Sequence, residues 1–155
     1  MLMAGKLGFD IVVACPEGFD PDMNIKAAAD KEAVTSGGSV RIVRSYEEAV
    51  KDADFVNVYS WVSPAVFAKG LETHFKGDPD FQAKKGKLKD AWCVSKKVMG
   101  LAPRDCKVMH CLPVSRNNEV TDDVLNSPQS IIFDEAENRL HTEKAILALL
   151  MGGYR

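Results

Sequence analysis

A chain of 155 residues with 46% hydrophobic and 27% charged content has the size and composition of one globular domain. Its formal net charge is −2 with acids and bases interspersed, so no basic block marks a nucleic-acid surface. The longest apolar stretches fall far short of the roughly 20 residues that cross a bilayer, and no secretory signal opens the chain.

Met1–Gly8 reads as the end of a helix with no strand before it. Phe9–Cys15 is a short run rich in β-branched residues, closed by the turn Pro16-Glu17-Gly18, and reads as a buried parallel strand. Asn24–Ser36 is alanine-rich and helical, and Gly37-Gly38 stops it. Ser39–Val43 reads as the second strand. Ser45 and Glu48 have capping-box spacing, each able to bond the other's backbone N–H, at the start of a short helix to about Lys51. Asp54–Tyr59 is the third strand, with Ser60-Trp61-Val62-Ser63-Pro64 at its end.

Ala65–Phe75 fits a helix, Lys76–Asp80 a turn, and Lys84–Lys89 a solvated basic face rather than a phosphate site. Asp90–Met99 reads as a helix closed by Gly100 and Pro103. Cys106–His110 is the fourth strand, Thr121–Leu125 a capped helical turn and Ser130–Phe133 the fifth strand. Glu137–Met151 carries Leu140, Ala145, Ile146, Leu149 and Leu150 near helical spacing, and Gly152-Gly153 ends it. Strands alternating with helices predict an α/β, Rossmann-like three-layer domain: a parallel sheet of about five strands with helices on both faces. The expected organisation is a single domain over 1–155, incomplete at its N-terminus because a βαβ unit expects a strand before the first helix.

In open α/β sheets, ligands bind just beyond the carboxyl ends of strands. His110-Cys111-Leu112-Pro113 lies at such an end, and Asp134-Glu135-Ala136-Glu137-Asn138-Arg139 follows the next apolar run. Cys111 is open to two readings: a buried packing thiol, or a reactive one whose pKa His110 or Arg116 would depress. Arg139 is either paired with nearby acids or an anion clamp, since a guanidinium grips phosphate or carboxylate bidentately. A zinc site of Cys106, His110 and Cys111 matches no standard ligand spacing, and Cys106 should face the core. The four cysteines show no CxxC spacing, so free thiols in a reducing cytoplasm are expected rather than disulfides. Trp61 reads as packing, and His74 and His141 as surface residues.

Together these residues resemble the carbamoyltransferase family, in its ornithine and N-acylornithine branch. The resemblance rests on His110-Cys111-Leu112-Pro113, Glu119-Val120-Thr121-Asp122-Asp123-Val124, Ser127-Pro128 and Glu135-Ala136-Glu137-Asn138-Arg139. Met3-Ala4-Gly5-Lys6-Leu7-Gly8 is similar to the helix that opens the family's second domain. The resemblance implies transfer of a carbamoyl group from carbamoyl phosphate to the side-chain amine of an ornithine derivative, in arginine biosynthesis. It implies an active site between two domains and between subunits of a homo-oligomer, with no metal or organic cofactor. This chain would be the amino-acid-binding second domain only, since the Ser-x-Arg-Thr-Arg type phosphate loop of the first domain is absent from it. The missing carbamoyl-phosphate-binding domain is then a required partner, and the isolated chain is expected to be inactive.

By the same resemblance Cys111 and Leu112 lie beside the reacting groups, with Cys111 as the catalytic residue, and Arg139 contacts carbamoyl phosphate. His110, Tyr59, Ser115 and Arg116 complete the expected substrate-binding set. Two positions depart from the pattern. Ornithine enzymes carry an Asp two residues before the Trp of DxWxSMG, where this chain has Tyr59 before Trp61; N-acylornithine enzymes carry Lys there and two arginines after HCLP-x, where this chain has Ser115-Arg116. The tail looks most like the N-acylornithine branch. The alternative is a non-catalytic module that uses the same crevice to bind a small molecule or regulate a partner. A flavodoxin-like receiver ranks below both, lacking a Gly-rich phosphate turn and an acidic cluster after the first strand.

Overall fold

A computed structural model describes residues 1–17, 19–60 and 91–152. They fall into two units: residues 1–52 with Ala91 and Trp92, and Ala53–Ser60 with residues 93–152. Trp61, the run from Ser63 through the basic stretch at Lys84–Lys89, and His74 lie outside the described residues.

In the first unit β1 (Asp10–Ala14) pairs in parallel with β2 (Ser39–Val43), Ile11 opposite Val40 and Val13 opposite Ile42. Between them runs α2 (Met23–Ser36), set by its ends. Asp22 accepts from the N–H of Asn24 at 2.8 Å and of Ile25 at 3.4 Å, and Gly37 closes the helix in the left-handed region at φ 87°. Its small residues Ala29 and Ala33 are buried, which lets α1 (Leu2–Leu7) approach closely. A Cβ on Gly5 would lie 2.5 Å from the Ala29 carbonyl oxygen. α3 (Tyr46–Val50) begins as a half capping box. Ser45 Oγ accepts from the Glu48 N–H at 3.3 Å, but it is Glu47 that receives the Ser45 hydroxyl, at 2.7 Å. Glu48 lies instead 3.5 Å from Arg41 on β2, an opposite charge that competes for its carboxylate.

In the second unit β3 (Phe55–Val58) pairs in parallel with β4 (Lys107–His110), Val56 opposite Val108 and Val58 opposite His110. The helix expected over Asp90–Met99 is interrupted. Ala91 and Trp92 are helical, but Val94 is extended: its N–H donates to Glu119 O at 2.9 Å and its carbonyl accepts from Thr121 N–H at 3.0 Å. The β-branched Val94, 3% exposed, is worth more in this core than in a helix turn. After the interruption the second unit has α4 (Lys96–Met99), followed by α5 (Asp122–Leu125) and α6 (Ile132–Met151).

The expected fifth strand is corrected as well. Ser130 makes one parallel bridge to Val108, and Ile131 N–H donates to Val108 O at 3.0 Å, but α6 begins at Ile132. The helix formers and first-turn acids Asp134 and Glu135 extend the helix back over the apolar residues. The α/β class with parallel strands and helices is thus observed, as four strands in two pairs among the described residues. The second unit's core is Val58, Val94, Met99, Cys106, Val108, Val120 and Val124. No helix among the described residues is long and apolar enough to cross a membrane.

Gly5→Ala should lower stability by about 1–3 kcal/mol, because the added methyl meets backbone rather than a movable side chain. Gly37→Asn, a left-handed position with no heavy atom within 4 Å of the built Cβ, should cost well below that. Urea unfolding midpoints compare the two; equal losses would contradict the close approach of α1 to α2.

Candidate functional site

The second unit carries the candidate residues. Because Val58 stands opposite His110, the next residues, Tyr59 and Cys111, leave the strand pair at the same C-terminal edge. The chain paired to Val108 at Ser130 also runs parallel to β4, so α6 starts toward that edge and packs on β4. Tyr59 is 68% exposed and Cys111 half-buried.

His110 is the opposite case. Its side chain is 1% exposed, so the ring faces the core. Nδ1 accepts a hydrogen bond from the Leu112 N–H at 2.9 Å. Leu112 sits at φ 52°, a left-handed conformation rare for a bulky side chain, and precedes a cis peptide bond to Pro113. Burial pushes the His110 imidazole below its ordinary pKa of 6.5, against the opposing pull of the Glu119 and Glu135 carboxylates.

The loop after Pro113 is built around Glu119, which is 5% exposed. Its Oε2 accepts from the Ser115 N–H at 2.9 Å and its Oε1 from Asn118 Nδ2 at 2.9 Å. Asn117, at φ 57°, takes the left-handed turn, and its amide brackets Asp122: Nδ2 donates to Oδ2 at 3.0 Å while Oδ1 accepts from the Asp122 N–H at 3.0 Å. Arg116 donates to Asp122 Oδ1 at 2.6 Å, and that bond, with the one from Asn117, holds the Asp122 carboxyl below its ordinary range. The Ser115 backbone and the Arg116 guanidinium therefore serve the loop's own architecture.

Arg139 lies seven residues into α6, about 10 Å along its axis at 1.5 Å per residue. Its guanidinium is 65% exposed and 3.9 Å from Glu143, an acid one turn on rather than Glu135 or Glu137. No hydrogen bond or ion pair joins Arg139 to the Cys111 loop among the described residues. His141 is exposed and pairs with Glu137 at 3.6 Å.

Reading the residues alone undervalues Glu119 and Asp122: acids beside Asn and Thr resemble any polar loop, and only burial marks Glu119 as a structural acceptor. Among the described residues no group of three His, Cys, Asp or Glu is arranged to hold a metal ion. Cys106, the third member of the zinc alternative, is 1% exposed in the core, where burial raises its thiol pKa with Asp54 and Asp105 adding to the shift.

Glu119→Ala should cost about 1–3 kcal/mol, since the Ser115 N–H loses its acceptor within a part-buried loop. Glu119→Gln, which keeps an acceptor oxygen, should cost less, and an equal cost would contradict this role. A second test concerns pH. His110 has a lowered pKa in the folded chain, so its contribution to stability is complete above pH 6.5 and declines as pH falls toward that lowered value. Unfolding measured across this window should show the decline in the native protein and lose that component in His110→Asn.

A family model described as aspartate/ornithine carbamoyltransferase, Asp/Orn binding domain, matches residues 1–150. The ornithine carbamoyltransferase of Pyrococcus horikoshii is 42% identical over 155 residues, 100% of this chain and 45% of that protein. The structure of ornithine carbamoyltransferase from Pyrococcus furiosus aligns with a TM-score of 0.83 and 39% identity, over 97% of this chain and 44% of its own. An acetylornithine transcarbamylase complexed with acetylcitrulline aligns with a TM-score of 0.79 and 31% identity, over 96% of this chain and 42% of its own. The chain thus spans less than half the length of these relatives. It belongs to the aspartate/ornithine carbamoyltransferase family, as that family's Asp/Orn-binding domain.

Proposed function

We propose that this chain supplies the amino-acid half of a carbamoyltransferase site, acting with a carbamoyl-phosphate-binding half in the cytoplasm and as a homo-oligomer. The observation that carries the reading is the shared C-terminal edge of β3 and β4, from which the exposed Tyr59 and the half-buried Cys111 both continue. A side-chain amine seated there attacks the carbamoyl carbon. The new C–N bond forms from the nitrogen lone pair, the C–O bond to phosphate breaks, phosphate leaves with that electron pair, and the proton shed by the nitrogen passes to the departing phosphate. The amine must first give up its ammonium proton, since its ordinary pKa is near that of lysine, about 10.4. Catalysis by position and electrostatics suits this chemistry, because a held amine and a held leaving group need no covalent intermediate.

In this reading Cys111 is the catalytic residue, its thiol beside the amine nitrogen, and Leu112 lines the same seat. Arg139 contacts the phosphate and Arg116 the substrate's carboxylate end. Neither guanidinium is locked: exposed ion pairs are worth about 0–1 kcal/mol, so each can exchange its present partner for an anion. Tyr59 offers a hydroxyl at the substrate's amino end. Identities of 42% and 39% to two ornithine enzymes make free L-ornithine the first amine to test; another ornithine enzyme shares 31%, as does the acetylornithine enzyme, so N-acetyl-L-ornithine is tested beside it.

Titration of the isotope-labelled chain with L-ornithine and with N-acetyl-L-ornithine should shift the backbone amides of Tyr59, Cys111 and Leu112. No shift with either amine at tens of millimolar, concentrations near the weak end of specific binding, would overturn the reading. With a carbamoyl-phosphate-binding half joined, Arg139→Ala should raise KM for carbamoyl phosphate by about tenfold or more, equivalent to about 1.4 kcal/mol of binding. An unchanged KM would remove Arg139 from the site.

A further inference from the structure

His110 is a buried titratable group that the transfer reaction described above does not use. Its ring is 1% exposed and its Nδ1 accepts from the Leu112 N–H at 2.9 Å. An amide can only donate, so Nδ1 carries no proton, and a neutral ring must then hold its proton on Nε2. Nε2 is itself buried and has no hydrogen-bond partner among the described residues, and the same is true of Glu135 Oε2 on α6. A buried polar nitrogen without a partner costs free energy. The ring keeps that position while its other nitrogen secures a single backbone amide. That amide belongs to Leu112, whose φ of 52° costs an L-residue about 1–2 kcal/mol. Strain of this kind persists only where the surroundings enforce it, and it gathers at functional turns.

We propose that His110 is the positioning residue of this site: its unprotonated Nδ1 clamps the Leu112 amide and holds Cys111 and Leu112 in the left-handed turn that meets the amine. The clamp requires no substrate contact, so His110 acts through Leu112 and is not a catalytic residue. Its link to the amine rests on the carbamoyltransferase reading above; the clamp itself does not. The charged groups facing the ring are Glu119 from the loop after Pro113 and Glu135 from α6. Both favour an imidazolium, whose Nδ1–H would repel the Leu112 N–H; burial opposes them and keeps the acceptor free.

The two ring nitrogens can be separated by amide isosteres. In His110→Asn the side-chain oxygen takes the place of Nδ1; in His110→Gln the amide reaches the place of Nε2 and leaves Leu112 unpaired. Long-range nitrogen–proton correlation on the 155-residue chain should show His110 with its proton on Nε2. Exchange of the Leu112 amide should rise about tenfold or more in His110→Gln and stay within about threefold of the native rate in His110→Asn, the first a loss of about 1.4 kcal/mol of local protection. Lowering the pH through the His110 titration should release the same amide in the native chain. A proton on Nδ1, or equal exchange in the two folded variants, would overturn the clamp. L-Ornithine affinity should follow the same order, native and His110→Asn above His110→Gln. If the variants differ in Leu112 exchange while the native chain binds neither amine, the clamp stands and the carbamoyltransferase reading fails.

Discussion

The burial of one imidazole ties the core of the second unit to the turn that follows β4. β4 delivers Val108, fully buried, and then His110, 1% exposed, so two inward positions of one strand fill the core. Because side chains alternate along a strand, the residue after His110 turns outward. Cys111, half-buried, is therefore more open than its neighbour. The hydrogen bond from Leu112 back to the ring then converts core packing into loop conformation. A local change in the turn is resisted by the core, and a change in the core is felt at the turn.

The charges around the turn follow a different rule. Glu119 is buried and fully engaged, accepting from Ser115 and Asn118. Arg116 with Asp122 and Arg139 with Glu143 are exposed pairs with side chains about half or more open to solvent. Buried acceptors fix shape because leaving them unpaired is costly; exposed guanidiniums hold their partners weakly and remain available. The loop thus has a buried carboxylate at its base and an exposed ion pair, Arg116 with Asp122, at its rim.

Much of this architecture was legible in the residues because local signals and tertiary demands agreed. Ser39–Val43 is a strand where its alternation places one, and Gly37 stops α2 by the left-handed turn that glycine tolerates best. The edge holding Cys111 was legible too, because an apolar run ending in His-Cys-Leu-Pro marks both a strand end and a turn. What was not legible depended on partners far along the chain. Val94 leaves its helix because Val120 waits to pair with it, and nothing near Val94 announces that. The side chain of Glu119 reads as one more exposed acid until burial shows it accepting the Ser115 N–H.

The start of α6 shows how two signals of comparable strength are decided. Ser130-Ile131-Ile132-Phe133 has the β-branched content of a strand, and it does pair with β4, but only through Gln129 and Ile131. Beyond them the backbone can either extend the ladder or begin a helix already favoured by the acids and alanine that follow. Helix nucleation is costly but propagation is not, so extending the helix of Asp134–Asn138 back over Ile132 and Phe133 costs little. In the helix Ile132 is buried, at 4% exposed, while Phe133 turns outward at 82%. The helix prevails because it retains the one apolar contact that counts and adds a backbone hydrogen bond from Glu135 to Ile131. It also brings Glu135 within electrostatic reach of the buried His110, which a fifth strand ending at Phe133 would not ensure.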